Sequence, residues 1–193
     1  MNIISKYTSY SDKDLVKACV KEKRQAQQEL YLRFSYMMKG VCLRYSNNEA
    51  EAEDLLQDSF IKAFDKLKTF KHQGELGGWL RKLTLNTVLD NYRKNKISSS
   101  SLSLVDEKID DSFTAIQNLE LEDLLLKIQQ LPLGFRTVFN LYAIEGYNHK
   151  EIGVLLKISN GTSKSQYSRA KKMLKKLIEE EKIIELNNLK HAK

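Results

Sequence analysis

The residues best suited to do chemistry lie between Asn148 and Lys176, and the chemistry they suit is the holding of a polyanion. From His149 to Lys176 the chain carries eight Lys or Arg residues against one acid, Glu151. Lys164, Ser165, Ser168, Arg169, Lys172 and Lys176 recur at spacings that put them on one side of a helix. Ammonium and guanidinium groups neutralise phosphates. Lys164, Ser165 and Arg169, near the front of that helix, could also reach base edges. A Lys-rich face is equally what a solvated surface looks like, so the reading depends on what holds the helix.

The holding elements are legible. Asn148 suits the N-cap of a short helix, and Glu151 three residues later completes a capping-box pattern. Ile152, Leu155 and Leu156 give that helix an apolar side. Lys157-Ile158-Ser159 forms a tight joint, with Ser159 placed to cap the next helix. On that helix Ser163, Tyr167, Ala170, Leu174 and Leu177 make a packable face opposite the cations. A short helix, a tight turn and a basic second helix describe a helix-turn-helix whose second helix enters the major groove.

Two further groups stand out. Asp54, Gln57, Asp58 and Ile61 fall at i, i+3, i+4 and i+7, an exposed acidic stripe around one apolar residue. Residues 47–58 hold five acids and no base in a chain of net charge +7. Such a stripe suits either a solvated helix end or a docking surface for a basic protein partner. Inward of it run Leu56, Phe60, Ala63, Phe64 and Leu67. Phe70 then borders a loop, 71–78, marked by Gly74, Gly77 and Gly78. A helix is expected to start near Trp79, a core anchor, with Leu80, Leu83, Thr87 and Tyr92 inward and Arg81, Lys82, Asn86, Asp90, Arg93 and Lys94 on its polar side. Phe70 beside this basic helix offers a surface on which an unstacked base could lie.

Composition bounds the rest. At 193 residues with 41% hydrophobic residues, the chain is long enough for one large domain or two small ones. Its positive charge favours an anionic partner without distinguishing DNA from RNA or a membrane surface. One Pro, eight Gly and helical spacing of apolar residues almost throughout predict an all-α fold. Cys19 and Cys42 sit among apolar neighbours and read as buried, reduced and structural. There is no GxxxxGK[ST] motif, no metal-ligand cluster and no nucleophile–base constellation, so neither a cofactor nor catalysis is expected. No signal peptide is visible and no apolar run approaches the roughly 20 residues that span a bilayer, which predicts a cytoplasmic protein with no membrane insertion.

In chain order, helices are expected over Ser11–Val20, with Leu15, Val16, Cys19 and Val20 inward, and from Arg24 to Tyr45, with Leu30, Phe34, Met37, Met38, Val41 and Cys42 as core. Residues 98–118 turn Ser-rich and then acidic, a linker. Helices resume near Leu119, with Leu121, Leu124, Leu125 and Ile128 on one side. After Leu131-Pro132 another carries Phe135, Val138, Phe139 and Tyr142 and ends at Gly146. The chain therefore reads as two small helical domains joined by a flexible linker, the second containing the helix-turn-helix.

With these residues in place, the chain resembles the extracytoplasmic-function group of bacterial RNA polymerase sigma factors from about Asp14 to Leu177. The resembling motifs are AEDLLQDSFIKAF (52–64), TF with the loop and WLRKLTLNTVLDNYRK (69–94), LPLGFRTVFNLYAIEGYNHKEIGVLLKIS (131–159) and NGTSKSQYSRAKKML (160–174). The resemblance implies residues 10–96 as sigma region 2, 97–118 as linker, 119–180 as region 4 and 181–193 as a charged tail. It implies that Asp54, Gln57, Asp58 and Ile61 dock on core RNA polymerase. Phe70, Leu83, Asn86 and the loop 71–78 would grip a flipped base of the downstream (−10) element in the melted strand. Lys164, Ser165, Ser168, Arg169 and Lys172 would read the upstream (−35) element as duplex. The acidic linker would lie in the polymerase channel that otherwise holds RNA. Gly77-Gly78 departs from the more helix-friendly residues usual before that tryptophan. Core polymerase and promoter DNA, duplex and melted, are thus the implied partners, with an anti-sigma factor left open. A classical regulator that binds DNA without polymerase, and a purely protein-binding regulator, are the competing readings.

Overall fold

The structure of the chain, a computed structural model, describes residues 7–99 and 119–191. Every regular element among the described residues is helical, as the spacing of apolar residues predicts. They fall into two compact units. One is formed by Glu49–Ser99 with the chain before Arg44, the other by the chain from Leu119 onward with Arg44–Asn48.

The first unit begins with α1 (Asp12–Val20), capped by Ser11, whose Oγ accepts the Asp14 N–H at 3.2 Å. Leu15, Val16 and Cys19 are buried, but Val20 is 45% exposed rather than inward, because the helix ends there and turns away at Lys21. Helix α2 spans Arg24–Tyr45 and buries Ala26, Leu30, Met38, Val41 and Cys42; Phe34 and Met37 are half-buried. Arg33 ties the segment before α1 down, donating to the Tyr10 carbonyl at 3.2 Å and to Asp12 at 3.0 Å. Lys39 joins α2 to α3 (Glu49–Lys66) through Glu53 and Glu49, and these hydrogen bonds raise its pKa. Cys19 and Cys42 are buried and reduced, with no disulfide, and burial pushes Cys19 up to about 11. A thiol held neutral in this way is structural.

A 3-10 turn, Leu67–Thr69, leads through a loop into α4 (Leu76–Ser99), which packs on α3. Here the sequence expectation needs correcting. The helix starts at Leu76, so Gly77 and Gly78 lie in its first turn and the loop is shorter than 71–78. Leu76 is 1% exposed, and burying it at the helix start outweighs the poor helix propensity of two glycines. The core of α4 is Leu80, Thr84, Leu85, Thr87, Val88 and Leu89; Leu83 and Tyr92 are only half-buried. The helix continues to Ser99, into the stretch read as linker, and Asp106, Glu107, Asp110 and Asp111 fall outside the described residues.

In the second unit α5 (Leu119–Gln129) buries Ile128 but leaves Leu124 40% exposed, and Pro132 precedes α6 (Leu133–Phe139). The buried Arg136 of α6 donates to the carbonyl of Gln129 at 3.0 Å, satisfying an orphan acceptor at the end of α5. The chain then widens into a π-helical turn over Asn140–Ile144, closed by the Glu145 N–H on the Asn140 carbonyl at 2.9 Å. Gly146, at φ +77°, releases the chain into α7 (His149–Leu156), followed by α8 (Asn160–His191). Both α6 and α7 pack on α8.

Candidate nucleic-acid interface

The geometry of α7 and α8 follows from their caps. Asn148 Oδ1 accepts the N–H groups of Lys150 (2.9 Å) and Glu151 (3.0 Å), while Glu151 returns a carboxylate oxygen to the Asn148 N–H at 2.8 Å. Each end of that box satisfies a donor the helix cannot. At the joint Lys157 takes a left-handed conformation, φ 53°, and Ser159 Oγ accepts the Thr162 N–H at 2.9 Å. The turn is tight because Gly153 has no side chain: a Cβ there would stand 2.8 Å from the Ile158 carbonyl oxygen. Sequence reasoning passed over Gly153. Its signal was a glycine inside an apolar helical pattern, four residues before the joint.

Ser163 and Ala170 are fully buried, Leu174 nearly so, and Tyr167 and Leu177 are half-buried, so α8 packs through the face expected. Lys164, Ser165, Ser168, Arg169 and Lys172 are all exposed. At about 100° per residue they span an arc of roughly 140° centred opposite the buried face. The structure therefore brings these five together on one solvent-facing strip. Ser165 spends its hydroxyl on the Thr162 carbonyl at 3.0 Å, leaving its oxygen free to accept.

Behind this strip lies a cluster that the sequence reading did not assemble. The rings of Tyr142 and His149 stack with centroids 4.4 Å apart, and Tyr167 closes on Tyr142 at 4.4 Å. His149 Nδ1 lies 3.0 Å from the hydroxyl of the buried Ser163. Burial, and secondarily the charge of Lys164, hold the His149 pKa below its ordinary 6.5. Tyr142, expected in the core, is instead 39% exposed, since the π-helical turn rotates it outward onto His149.

On the first unit, Trp79, Leu83 and Asn86 stand at i, i+4 and i+7 of α4, within about 60° of one another. Asn86 is exposed, Leu83 half-buried, and Trp79 half-buried rather than a sunken anchor. The Phe70 ring packs on Trp79 with centroids 5.5 Å apart and on His72 at 4.8 Å. Phe70, Leu83 and Asn86 thus belong to one aromatic-headed stripe, which Trp79 links. The loop before it turns at Gly74, whose φ of +132° suits glycine.

On α3, Asp54, Gln57, Asp58 and Ile61 are all exposed, Ile61 by 60%, opposite the buried Leu56, Ser59, Phe60 and Ala63. Neither Asp54 nor Asp58 forms an ion pair among the described residues. No group of His, Cys, Asp and Glu among the described residues could hold a metal ion, and no helix there is long and apolar enough to cross a membrane.

Comparison with known proteins adds relatives. The family model for Sigma-70 region 2 matches residues 30–97, and that for Sigma-70, region 4 matches residues 121–174. The RNA polymerase sigma-H factor of Pseudomonas aeruginosa is 25% identical over 185 residues, covering 89% of this chain and 96% of its own. The ECF RNA polymerase sigma factor SigW of Bacillus subtilis is 27% identical over 179 residues, covering 84% and 96%. Among solved structures, the sigma factor RpoE in complex with the anti-sigma factor NepR from Bartonella quintana shares the fold at TM-score 0.51 and 23% identity, over 79% of this chain and 96% of that one. The first matched segment contains the acidic stripe and the Phe70–Asn86 stripe, and the second contains the basic strip of α8.

Proposed function

The chain belongs to the sigma-70 family of RNA polymerase sigma factors, in its extracytoplasmic-function group, and from that premise we propose a role for each surface. As a sigma factor it binds core RNA polymerase, directs it to promoters and helps open the DNA. Lys164, Ser165, Ser168, Arg169 and Lys172 read the upstream element as duplex, where bidentate Arg and Lys contacts to base edges give discrimination. Phe70, Leu83 and Asn86 hold an unstacked base of the downstream element in the melted strand. Asp54, Gln57, Asp58 and Ile61 dock on basic residues of core polymerase. Residues 10–96 and 119–180 are the two functional regions, joined by the stretch 97–118.

Strand opening of this kind needs no nucleotide hydrolysis: binding energy for an unstacked base offsets the cost of unpairing it. We therefore assign the protein no catalytic step of its own, and place its work in the cytoplasm, where its template is. An anti-sigma factor covering one of these faces is a further partner in keeping with the solved relative.

The observation that carries this reading is the fivefold polar and cationic strip of α8, diametrically opposite the face that packs on α6 and α7. Run-off transcription with purified core polymerase tests it. Promoter-dependent transcript should appear only when the chain is added. A DNA-binding regulator would bind the same promoter yet yield no transcript from core enzyme, and a protein-binding regulator would do neither.

A further inference from the structure

We infer that His149 is a positioning residue for duplex reading: its neutral ring, stacked on Tyr142 and hydrogen-bonded to Ser163, fixes the first turn of α8 and so the presentation of Lys164 and Ser165. This rests on α8 being the helix that reads the upstream element.

The argument begins with what else holds that turn. Ser159 caps α8 with its hydroxyl, which accepts the Thr162 N–H at 2.9 Å, but such a cap is local to the helix and sets no direction relative to α7. Beyond the close approach of Gly153 at the joint, a side-chain hydrogen bond ties α7 to the start of α8, His149 to Ser163 at 3.0 Å, and Ser163 is 0% exposed. Lys164 and Ser165 follow Ser163 directly, so a shift of that hydroxyl is a shift of both. The ring has little freedom, because Tyr142 lies nearly parallel to it, at 15° and 4.4 Å, and Tyr167 closes at 5.8 Å. A side chain locked by stacking and by one hydrogen bond is how a recognition group is held to within a fraction of an ångström.

Protonation would strain the arrangement through charge, although imidazolium can still donate to the Ser163 oxygen. Neutral imidazole meets the Ser163 hydroxyl as donor or acceptor, whereas imidazolium can only donate. The added charge faces the positive end of the α8 dipole and the Lys164 ammonium. The other charged groups nearby do not offset it. Lys171 sits over the Tyr167 ring at 4.9 Å, Lys150 is a cation on the same helix, and the Glu151 carboxylate is engaged by the Asn148 N–H at 2.8 Å. The π-helical turn presents only the neutral Tyr142. The lowered pKa of His149 agrees with this environment.

The test uses holoenzyme assembled from core polymerase and the full chain. The readout is the ratio of its affinities for a promoter with the upstream element intact and with that element scrambled. Sequence-independent phosphate attraction strengthens both at low pH and cancels in the ratio. Since the folded protein favours the neutral ring, the arrangement is still complete at the ordinary histidine pKa and is disturbed only as pH falls through the lower value the folded ring has. Between about pH 7.5 and about pH 5 the wild-type ratio should fall about 2- to 5-fold, the worth of a cation at the positive end of a helix. Ser163→Ala and His149→Phe, the latter keeping the stacked ring, should both start low at the higher pH and stay flat. His149→Asn places an acceptor where Nδ1 stands and cannot titrate. Its ratio should lie above that of His149→Phe and also stay flat, although His72 and His191 remain.

A wild-type ratio that ignores pH overturns the proposal. So does a fall that persists in His149→Asn, or a full ratio at the higher pH in Ser163→Ala with an unchanged melting curve. Failure of the underlying reading looks different: wild type would show no preference for the intact element at any pH, or Arg169→Ala would keep the whole preference. Either result overturns the proposal as well.

Discussion

In the proposed reading single side chains carry the discrimination, and their worth can be stated one at a time. Lys164 and Arg169 stand exposed with their heads free on the outer strip of α8. Replacing either with Ala should cost about 1–3 kcal/mol in upstream-element binding where it contacts a base. Binding to core polymerase should be unchanged, since the acidic stripe is on α3. Holoenzyme titrations against intact and scrambled upstream elements measure the first, and competition for core enzyme the second. Gly153 works differently, through the backbone. Gly153→Ala drives a Cβ to 2.8 Å from a carbonyl oxygen that the tight joint cannot move without moving α8. A strain of about 1–3 kcal/mol should appear as a lowered Tm of the second unit and as weaker duplex reading. An unchanged Tm would show that the joint is looser than its geometry.

The helices show why some features were legible in the sequence and others were not. The caps at Asn148 and Ser159, the two sides of α8 and the stripe on α3 were readable because each depends on local spacing, and local spacing survives folding. The start of α4 was misplaced because propensity and burial disagree there: two glycines argue for a loop, and the buried Leu76 overrules them. The π-helical turn was invisible for a related reason. Its one-residue widening answers to packing around Tyr142 and His149, so Tyr142 read as core from its spacing. Likewise, no pattern joins His149 to Ser163, fourteen positions apart. These elements yield two predictions. Gly78 is exposed in a helix with open space where a Cβ would go, so Gly78→Ala should stabilise the first unit by about 0.5–1 kcal/mol, read as a raised Tm. Asp58→Lys on the exposed face of α3 should leave circular dichroism unchanged and lower the affinity for core polymerase, because the new cation would face a basic partner. Wild-type competition for core enzyme by that variant would remove α3 from the docking surface.

In the proposed reading, the two units divide one task between duplex and melted strand. The second offers cations on a rigid helix, which suits a duplex groove. The first offers an aromatic-headed stripe of Phe70, Trp79, Leu83 and Asn86, which suits a base taken out of its stack. The division predicts a crossed response to a promoter mismatched over the region to be melted, since such a template no longer charges the protein for unpairing. Permanganate footprinting of open complexes, on paired and pre-melted promoters, reads this directly for Phe70→Ala and Arg169→Ala side by side. On the paired promoter Phe70→Ala should lose roughly 5- to 150-fold in open complex, the worth of one stacked base, and pre-melting should recover part of it. Arg169→Ala should lose occupancy on both templates alike. Equal rescue of both variants, or normal opening by Phe70→Ala on paired DNA, would contradict the division of labour.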